Sequence, residues 1–328
     1  MQRREWLALA AGVALLPSAR ARHERRQLFG SPVDLLLPPA APAPLAASLW
    51  RGLQAMNDGW NAWKPGEVTE LNGALAAGRT ARVSPALAGL IQGAAAMERL
   101  SGGCFNAGIG GLVGQWGFHD DVMRPGRRPS HAELARWTAR PPSLAQLVLQ
   151  RGQARSDNPA LQLDFGGYAK GVALDWALDR LQLAGVNAGL LNLGGNLAAV
   201  GDAGARPWRV GIRDPHGPGL VAQIDTVGRE AVVTSGSYER FRLLDGQAFT
   251  HVLDPRTGAP APQLVSVTVV HPSAALADAA ATALLVAGPT AWARVAAALG
   301  VDQVLVIDRH GRRRATPRLQ ARLQAARG

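Results

Sequence analysis

The chain has 328 residues, 47% of them hydrophobic and 18% charged, enough for one large or two medium globular domains. Its net charge of +11 first points to nucleic acid, but the excess sits at the ends: residues 309–328 hold seven Arg and no acid, and residues 1–21 hold three Arg and one Glu. A nucleic-acid binder carries its charge as a patch on the folded domain, so the nearly neutral body excludes that class, and the single Cys104 excludes an internal disulfide or a Cys-rich metal site.

The first element is a targeting segment. Arg3-Arg4 precede Trp6-Leu7 and an apolar stretch from Ala8 to Leu16, and Ala19-Arg20-Ala21 fits a signal cleavage site. The paired Arg points to twin-arginine export; a general secretory signal that happens to hold two Arg is the other reading. Either route leads to the periplasm. Past residue 21 no apolar run reaches the roughly 20 residues a membrane helix needs, so no transmembrane segment is expected in the mature chain. Three segments follow: an export signal over 1–21, one compact catalytic domain over 22–308, and an Arg-rich tail over 309–328, solvated or docking an acidic or membrane partner.

Val33 to Leu37 reads as a strand. Ser84 caps a helix with Pro85 in its first turn, and Leu87, Leu90, Ile91, Ala94 and Met97 share one face. Residues 119–160 are polar and rich in Pro and Arg, a surface excursion with one helix. Ala169 to Leu183 is a helix closed by Gly185. Leu190 to Leu193 is a buried strand, and Trp208 to Arg213 and Val221 to Thr226 alternate as strands. Arg240 to Leu244 and Gln247 to Val252 form a hairpin around Asp245-Gly246, a strong two-residue turn signal. Val265 to Val270 is a strand, helices follow at Ala274 to Ala287 and Thr290 to Leu299, and Gln303 to Ile307 closes the sheet. Hairpins mixed with helices indicate an α+β fold.

Four constellations carry chemistry. In Asp164-Phe165-Gly166-Gly167-Tyr168-Ala169-Lys170-Gly171 a strand enters, two Gly turn the chain, and a helix begins; its free N–H groups and Lys170 suit a phosphate. Gly-Gly before a helix is also a common turn. Gly194-Gly195 after a buried strand is a tight turn or a backbone contact with a flat or phosphorylated ligand. His251 and Asp254 end a hairpin strand and enter the turn Asp254-Pro255-Arg256-Thr257-Gly258. His251 can act as a base near neutral pH, with Asp254 orienting it or serving as the base itself; a half-buried His in a turn is equally consistent. Asp278 and Thr282 at i and i+4 put two oxygens on one helical face, which suits Mg2+ or simply packs a small-residue face. Zinc-ligand spacing and the common nucleotide-binding and nucleophile motifs are absent. The loop-like Thr234-Ser235-Gly236-Ser237 fits a ligand hydrogen bond better than a nucleophile. Only Lys64 and Lys170 break a basic complement of 33 Arg, and a Lys in such a background invites a reason.

Together these residues resemble the ApbE family of FAD:protein FMN transferases. The likeness runs in order through Phe29-Gly30-Ser31, Gly102 to Asn106, Leu112-Val113 with Trp116-Gly117-Phe118, Asp164 to Gly171, Asn192 to Asn196, Trp208 to Pro215, Thr234 to Arg240, His251 to Gly258 and Ala277 to Thr282. The resemblance implies mixed and antiparallel sheets with helices and an FAD cleft between two halves. It implies FAD contacts from Phe29, Trp63, Cys104, Phe105, Asn106, Asp164, Lys170, Gly194, Gly195, Ser235 and Val252. It implies Mg2+ held by Asp278, Thr282 and the Gly167 carbonyl, and His251 with Asp254 as the proton-accepting pair. FMN would pass to a Ser or Thr hydroxyl of an acceptor redox protein and AMP would leave. Rivals are an FAD pyrophosphatase, with water as acceptor, and a non-enzymatic FAD-binding protein. Cys104 and Asn106 stand where many members have Ala and Asp, Asn61-Ala62-Trp63 replaces Ser-x-Tyr, and the family's lipoprotein Cys is missing.

Overall fold

A computed structural model describes residues 13–15, 21–238, 240–261 and 263–326. The expected export signal lies outside the described residues apart from Ala21 and a short strand, β1 (Val13–Leu15). Two strands, β2 (Arg22–Leu28) and β3 (Ser31–Leu37), form a hairpin around Phe29-Gly30, both at positive φ (53° and 69°). That conformation suits Gly30 and is uncommon for Phe29. The Phe29 N–H donates to Asn57 Oδ1 at 2.7 Å, which helps hold it.

Helices α1 (Ala43–Gly59) and α2 (Glu67–Ala76) follow. They were not anticipated, although α1 buries Ala46, Leu49, Trp50 and Leu53 at helical spacing. After β4 (Ala81–Arg82), α3 (Pro85–Leu100) starts as expected, Ser84 Oγ accepting from the Leu87 N–H at 3.1 Å. Helix α4 (Gly110–Gln115) precedes the excursion, which holds its expected helix, α5 (His131–Ala139), and also an unforeseen hairpin, β5 (Leu147–Gln150) and β6 (Gln153–Ser156), that pairs with β4. Its turn is Arg151-Gly152, both at positive φ, a weaker turn signal than Asn-Gly or Asp-Gly.

The second half supplies α6 (Ala169–Leu183), β7 (Gly189–Leu193), β8 (Asn196–Val200), β9 (Arg209–Arg213), β10 (Leu220–Asp225), β11 (Glu230–Gly236), β12 (Phe241–Leu244), β13 (Gln247–Thr250) and β14 (Leu264–His271). Helix α7 (Ala274–Ala298), β15 (Val304–Asp308), β16 (Arg313–Ala315) and α8 (Pro317–Gln320) complete the chain. The two helices expected near the end meet in α7, where Gly288 turns to φ 75° before Pro289. Among the described residues α7 is the helix long and apolar enough to cross a membrane. It packs inside the protein against β14, β11 and α6.

An eight-stranded antiparallel sheet, ordered β16-β15-β14-β11-β8-β7-β3-β2, organises the fold. Every residue of β7 and β8 is buried, because both sheet faces are covered. One face carries the main core with α1, α3, α6 and α7. The other packs Leu36, Leu190 and Leu197 against Val210 and Ile224 of the small sheet β1-β9-β10, against Trp208 just before β9, and against Leu319 of α8. Burying each such Leu contributes about 1.5–3 kcal/mol. The Arg-rich end is therefore no tail: β16 joins the sheet edge, Leu319 is buried, and Arg322 binds both carboxylate oxygens of the buried Glu230 at 2.6 and 2.7 Å. A third, smaller core holds Leu112, Trp116, Phe118, Leu244 and Leu253, and makes a second half from α4, α5 and the hairpin β12–β13.

Candidate functional site

The site forms where the two halves meet. Asp164 ends the segment entering α6, and its carboxylate is paired on both oxygens. Gly166 N–H donates to Oδ1 at 2.8 Å and His119 Nε2 lies 2.9 Å from Oδ2. Burial acts to raise the Asp164 pKa, but the His119 hydrogen bond and charge, the Gly166 N–H and the Arg240 charge outweigh it and hold the carboxyl below its ordinary range. His119 stacks on Trp63 at 5.5 Å, and the Arg240 guanidinium lies 5.3 Å from the Trp63 ring centre. Arg240 also donates to the carbonyls of Phe118 (3.0 Å) and Asp120. His119 and Arg240 were not singled out in the sequence, yet they join Trp63 to Asp164.

His251 follows β13. Its Nδ1 is 3.0 Å from the Arg240 carbonyl oxygen. A carbonyl only accepts, so Nδ1 carries the proton and Nε2 keeps its lone pair. Burial lowers the His251 pKa to about 4, assisted by the charges of Arg240 and Lys170. The imidazole is therefore neutral and ready to accept a proton at neutral pH. Were His251 the base of a reaction, kcat/KM would stay level from about pH 8 to about 5 and fall only toward 4, because kcat/KM reports the free enzyme's base. A fall centred on the ordinary value near 6.5 would remove the buried neutral base. The same shift lowers stability as pH drops from 6.5 toward 4, since the unfolded chain takes the proton first.

Asp254 does not join His251, correcting the expected pair. Its carboxylate is clamped by Arg256, Nε to Oδ1 and Nη2 to Oδ2 both at 2.8 Å, and Oδ1 also accepts the Arg256 N–H at 2.9 Å. The charges of Arg256 and Asp254 act on Cys104, whose thiol burial pushes upward in pKa and keeps protonated. Asn106 spends its side chain on structure, accepting from Gly108 N–H at 2.7 Å and donating to the Pro142 carbonyl at 2.8 Å. Phe105 is buried and tilts against Tyr168 at 6.0 Å, and Val252 is buried with its N–H on Thr250 Oγ1.

Asp278 is buried on α7, across from the start of α6. Its Oδ2 accepts from Gly171 N–H at 2.9 Å and its Oδ1 from Asn196 Nδ2 at 2.8 Å. Burial raises the Asp278 pKa against the opposing effects of Lys170, Gly171 and Asn196. One turn on, Thr282 Oγ1 lies 3.3 Å from Ser235 Oγ at the end of β11. Ser235 is therefore strand, not loop. A side chain on Gly167 would meet Thr282 Oγ1 at 2.8 Å, so only glycine lets the backbone approach there. Gly194 and Gly195 turn at φ 59° and 96° between β7 and β8, Gly194 packing on Ser31 beside the Phe29 turn and Gly195 N–H bonding Asn192 Oδ1 at 2.9 Å.

Among the described residues no three His, Cys, Asp or Glu side chains cluster tightly enough to hold a metal. The expected ligand set draws on one carboxylate only, plus a hydroxyl and a carbonyl. These donors fit Mg2+, an oxygen-seeking ion that keeps several waters. The buried carboxylate of Asp278, the Thr282 hydroxyl and a glycine at 167 whose backbone approaches Thr282 supply the oxygen donors that a hard cation would use.

The ApbE family model matches residues 29–305. The chain is 42% identical over 335 residues to an FAD:protein FMN transferase of Rhodobacter capsulatus, covering 99% of this chain and 64% of that protein. It is 28% identical over 316 residues to the FAD:protein FMN transferase of Vibrio cholerae, covering 93% of this chain and 94% of that one. The chain thus spans less than two thirds of the R. capsulatus relative. Its fold resembles the crystal structure of the ApbE protein from Thermotoga maritima (TM-score 0.84, 25% identity, 92% and 99% of the two chains). It also resembles the apo flavinyl transferase ApbE of Pseudomonas stutzeri (TM-score 0.80, 26% identity, 94% and 98%).

Proposed function

The chain belongs to the ApbE family, and from that premise we propose that it is a Mg2+-dependent transferase moving FMN from FAD to a Ser or Thr hydroxyl of an acceptor redox protein. The observation that supports the reading is geometric: Asp278 and Thr282 of α7 face the Gly167–Gly171 turn that starts α6 and carries Lys170, and His251 is held through Nδ1 with Nε2 left to accept a proton. His119, Trp63 and Arg240 form a planar, cationic wall suited to an aromatic ring system and its phosphates.

In this reading the acceptor oxygen forms a new O–P bond at the FMN-side phosphorus while the bridging P–O bond breaks. AMP leaves with the electron pair, and the hydroxyl proton passes to His251 Nε2. Mg2+ held by Asp278, Thr282 and the Gly167 carbonyl would supply Lewis-acid charge to the phosphate oxygens. Lys170 at the start of α6 adds a fixed positive charge beside the same phosphates, and the Arg240 carbonyl keeps the His251 ring in the tautomer that accepts at Nε2. Most of the rate enhancement is positioning and charge neutralisation. Asp254 has no part in the proton transfer, being committed to Arg256.

Incubation of the purified chain with FAD, Mg2+ and a purified candidate acceptor tests the reading. Flavin fluorescence retained on the denatured acceptor supports transfer. Free FMN plus AMP with an unmodified acceptor would make the chain a pyrophosphatase, and intact bound FAD would make it a binding protein. His251→Ala is expected to bind FAD with wild-type affinity and to transfer about 10²–10⁴-fold more slowly, the usual worth of a general base. Full activity in that variant would remove His251 from the reaction. We also propose a periplasmic location, supported by the paired Arg and apolar stretch of residues 1–21; retention of a full-length fusion in the cytoplasm would overturn it.

A further inference from the structure

Next to His251, at Thr250, begins a concavity that none of the candidate site residues lines. It has a volume of about 1000 Å3 and is bounded by the β12–β13 hairpin, α5 and residues 259–261. Trp116, Leu134, Tyr238, Phe249 and Pro260 give it largely apolar walls. Phe241, which also lines it, is 49% exposed, and α5 buries no residue of its own in forming one side.

The backbone along this groove is unfinished. In the hairpin register Leu244 faces Gln247 and Arg242 faces Phe249. The two-residue Asp245-Gly246 turn makes these the pairs that bond each other, so Leu243, Ala248 and Thr250 direct their N–H and C=O groups away from the ladder. On the β12 side the Leu243 carbonyl accepts from Gly126 N–H at 3.2 Å. On the β13 side, no backbone group among the described residues takes up Ala248 or Thr250, and both line the groove. Natural folds cover or blunt open edges; this one ends one residue before His251.

We propose that β13 is the docking edge for the acceptor, which adds an extended segment to the hairpin as a third strand. The inference rests on the transferase reading above. An extended peptide satisfies alternate N–H and C=O groups as no small molecule does. Its alternate side chains enter the apolar groove, and a Ser or Thr beyond Thr250 arrives beside His251.

Ala248→Pro tests this. Proline at an outward-facing edge position removes one donor and no ladder bond. The expected result is a KM for the acceptor protein raised roughly tenfold, the worth of one hydrogen bond of about 1.4 kcal/mol, with FAD affinity unchanged. Phe241→Ser breaks no ladder bond and should raise the same KM roughly fivefold. Wild-type transfer with unchanged KM in both variants would overturn the docking edge alone. A wild-type chain that leaves no flavin on any acceptor would overturn the transferase reading and the docking with it. Amide exchange gives the direct readout: a synthetic peptide spanning the acceptor's modified residue should slow exchange at Ala248 and Thr250. Protection by FAD alone would assign the groove to the flavin, and protection that grows with protein concentration alone would assign it to a second copy; either overturns the proposal.

Discussion

Replacing Asp278 by Asn is expected to lower FMN transfer by about a thousandfold while leaving the fold intact. The magnitude is that of losing roughly 4 kcal/mol of charge stabilisation at the phosphates. The fold survives for a local reason. Oδ2 of Asp278 accepts from Gly171 N–H and Oδ1 from Asn196 Nδ2. An Asn there keeps its oxygen on Gly171, and the Asn196 amide turns over to accept from the new NH2 group. Burial raises the Asp278 pKa, so the charged form weakens the metal-free fold at neutral pH and the neutral amide does not. The variant should therefore melt at or above the wild-type temperature without metal. Wild type should gain stability on adding Mg2+, as any ligand that binds only the folded state requires, and Asp278→Asn should not. Transfer at the wild-type rate, or an undiminished Mg2+ shift in melting temperature, would remove Asp278 as a metal ligand.

Much of this fold is legible as local chemistry. Ser84-Pro85 opens α3 through a real cap, Asp245-Gly246 turns β12 into β13, and Gly288-Pro289 marks the break in α7. Asp278 and Thr282 do share one face of one helix, as their spacing implies. What escapes the sequence is pairing over distance. His119 meets Asp164 across 45 residues and Asn196 meets Asp278 across 82, and no periodicity encodes either. His251 and Asp254, only three residues apart, mislead for the opposite reason. The turn carries Asp254 away, and Arg256, two residues on, captures it. The Arg-rich end misleads because charge dominates its composition, while one buried leucine, Leu319, and one ion pair, Arg322 with Glu230, decide where it packs.

Asp175→Ala is expected to destabilise the protein by about 2–4 kcal/mol and to raise the Mg2+ concentration needed for half-maximal transfer, although Asp175 touches neither metal ligand nor substrate. Asp175 lies on α6, one turn past Gly171, and caps a different helix. Its Oδ1 accepts from Ala274 N–H at 2.9 Å, and its Oδ2 from Ala275 N–H at 3.0 Å and Ser273 Oγ at 2.8 Å. These are the first donors of α7, which no carbonyl within the helix can satisfy. Gly171 packs so closely that a Cβ there would lie 2.3 Å from the Ala274 carbonyl oxygen, and its N–H holds Asp278. The two helices are thus pinned together at Asp175 and at Gly171. Those pins set where Asp278 and Thr282 stand relative to Gly167 and Lys170. Alanine leaves three donors without their acceptor and frees the start of α7 to shift. Asn at 175 keeps one oxygen, yet the two backbone donors go to different oxygens, so it should recover about half of the lost stability and a metal midpoint between those of Ala and wild type. Arg229 also bonds Asp175, at 3.4 Å, but holds Asp179 and Gln182 as well. Arg229→Ala should therefore cost stability without moving the metal midpoint. An Asp175→Ala protein that melts lower but keeps the wild-type midpoint would show that α7 is placed by its core packing alone.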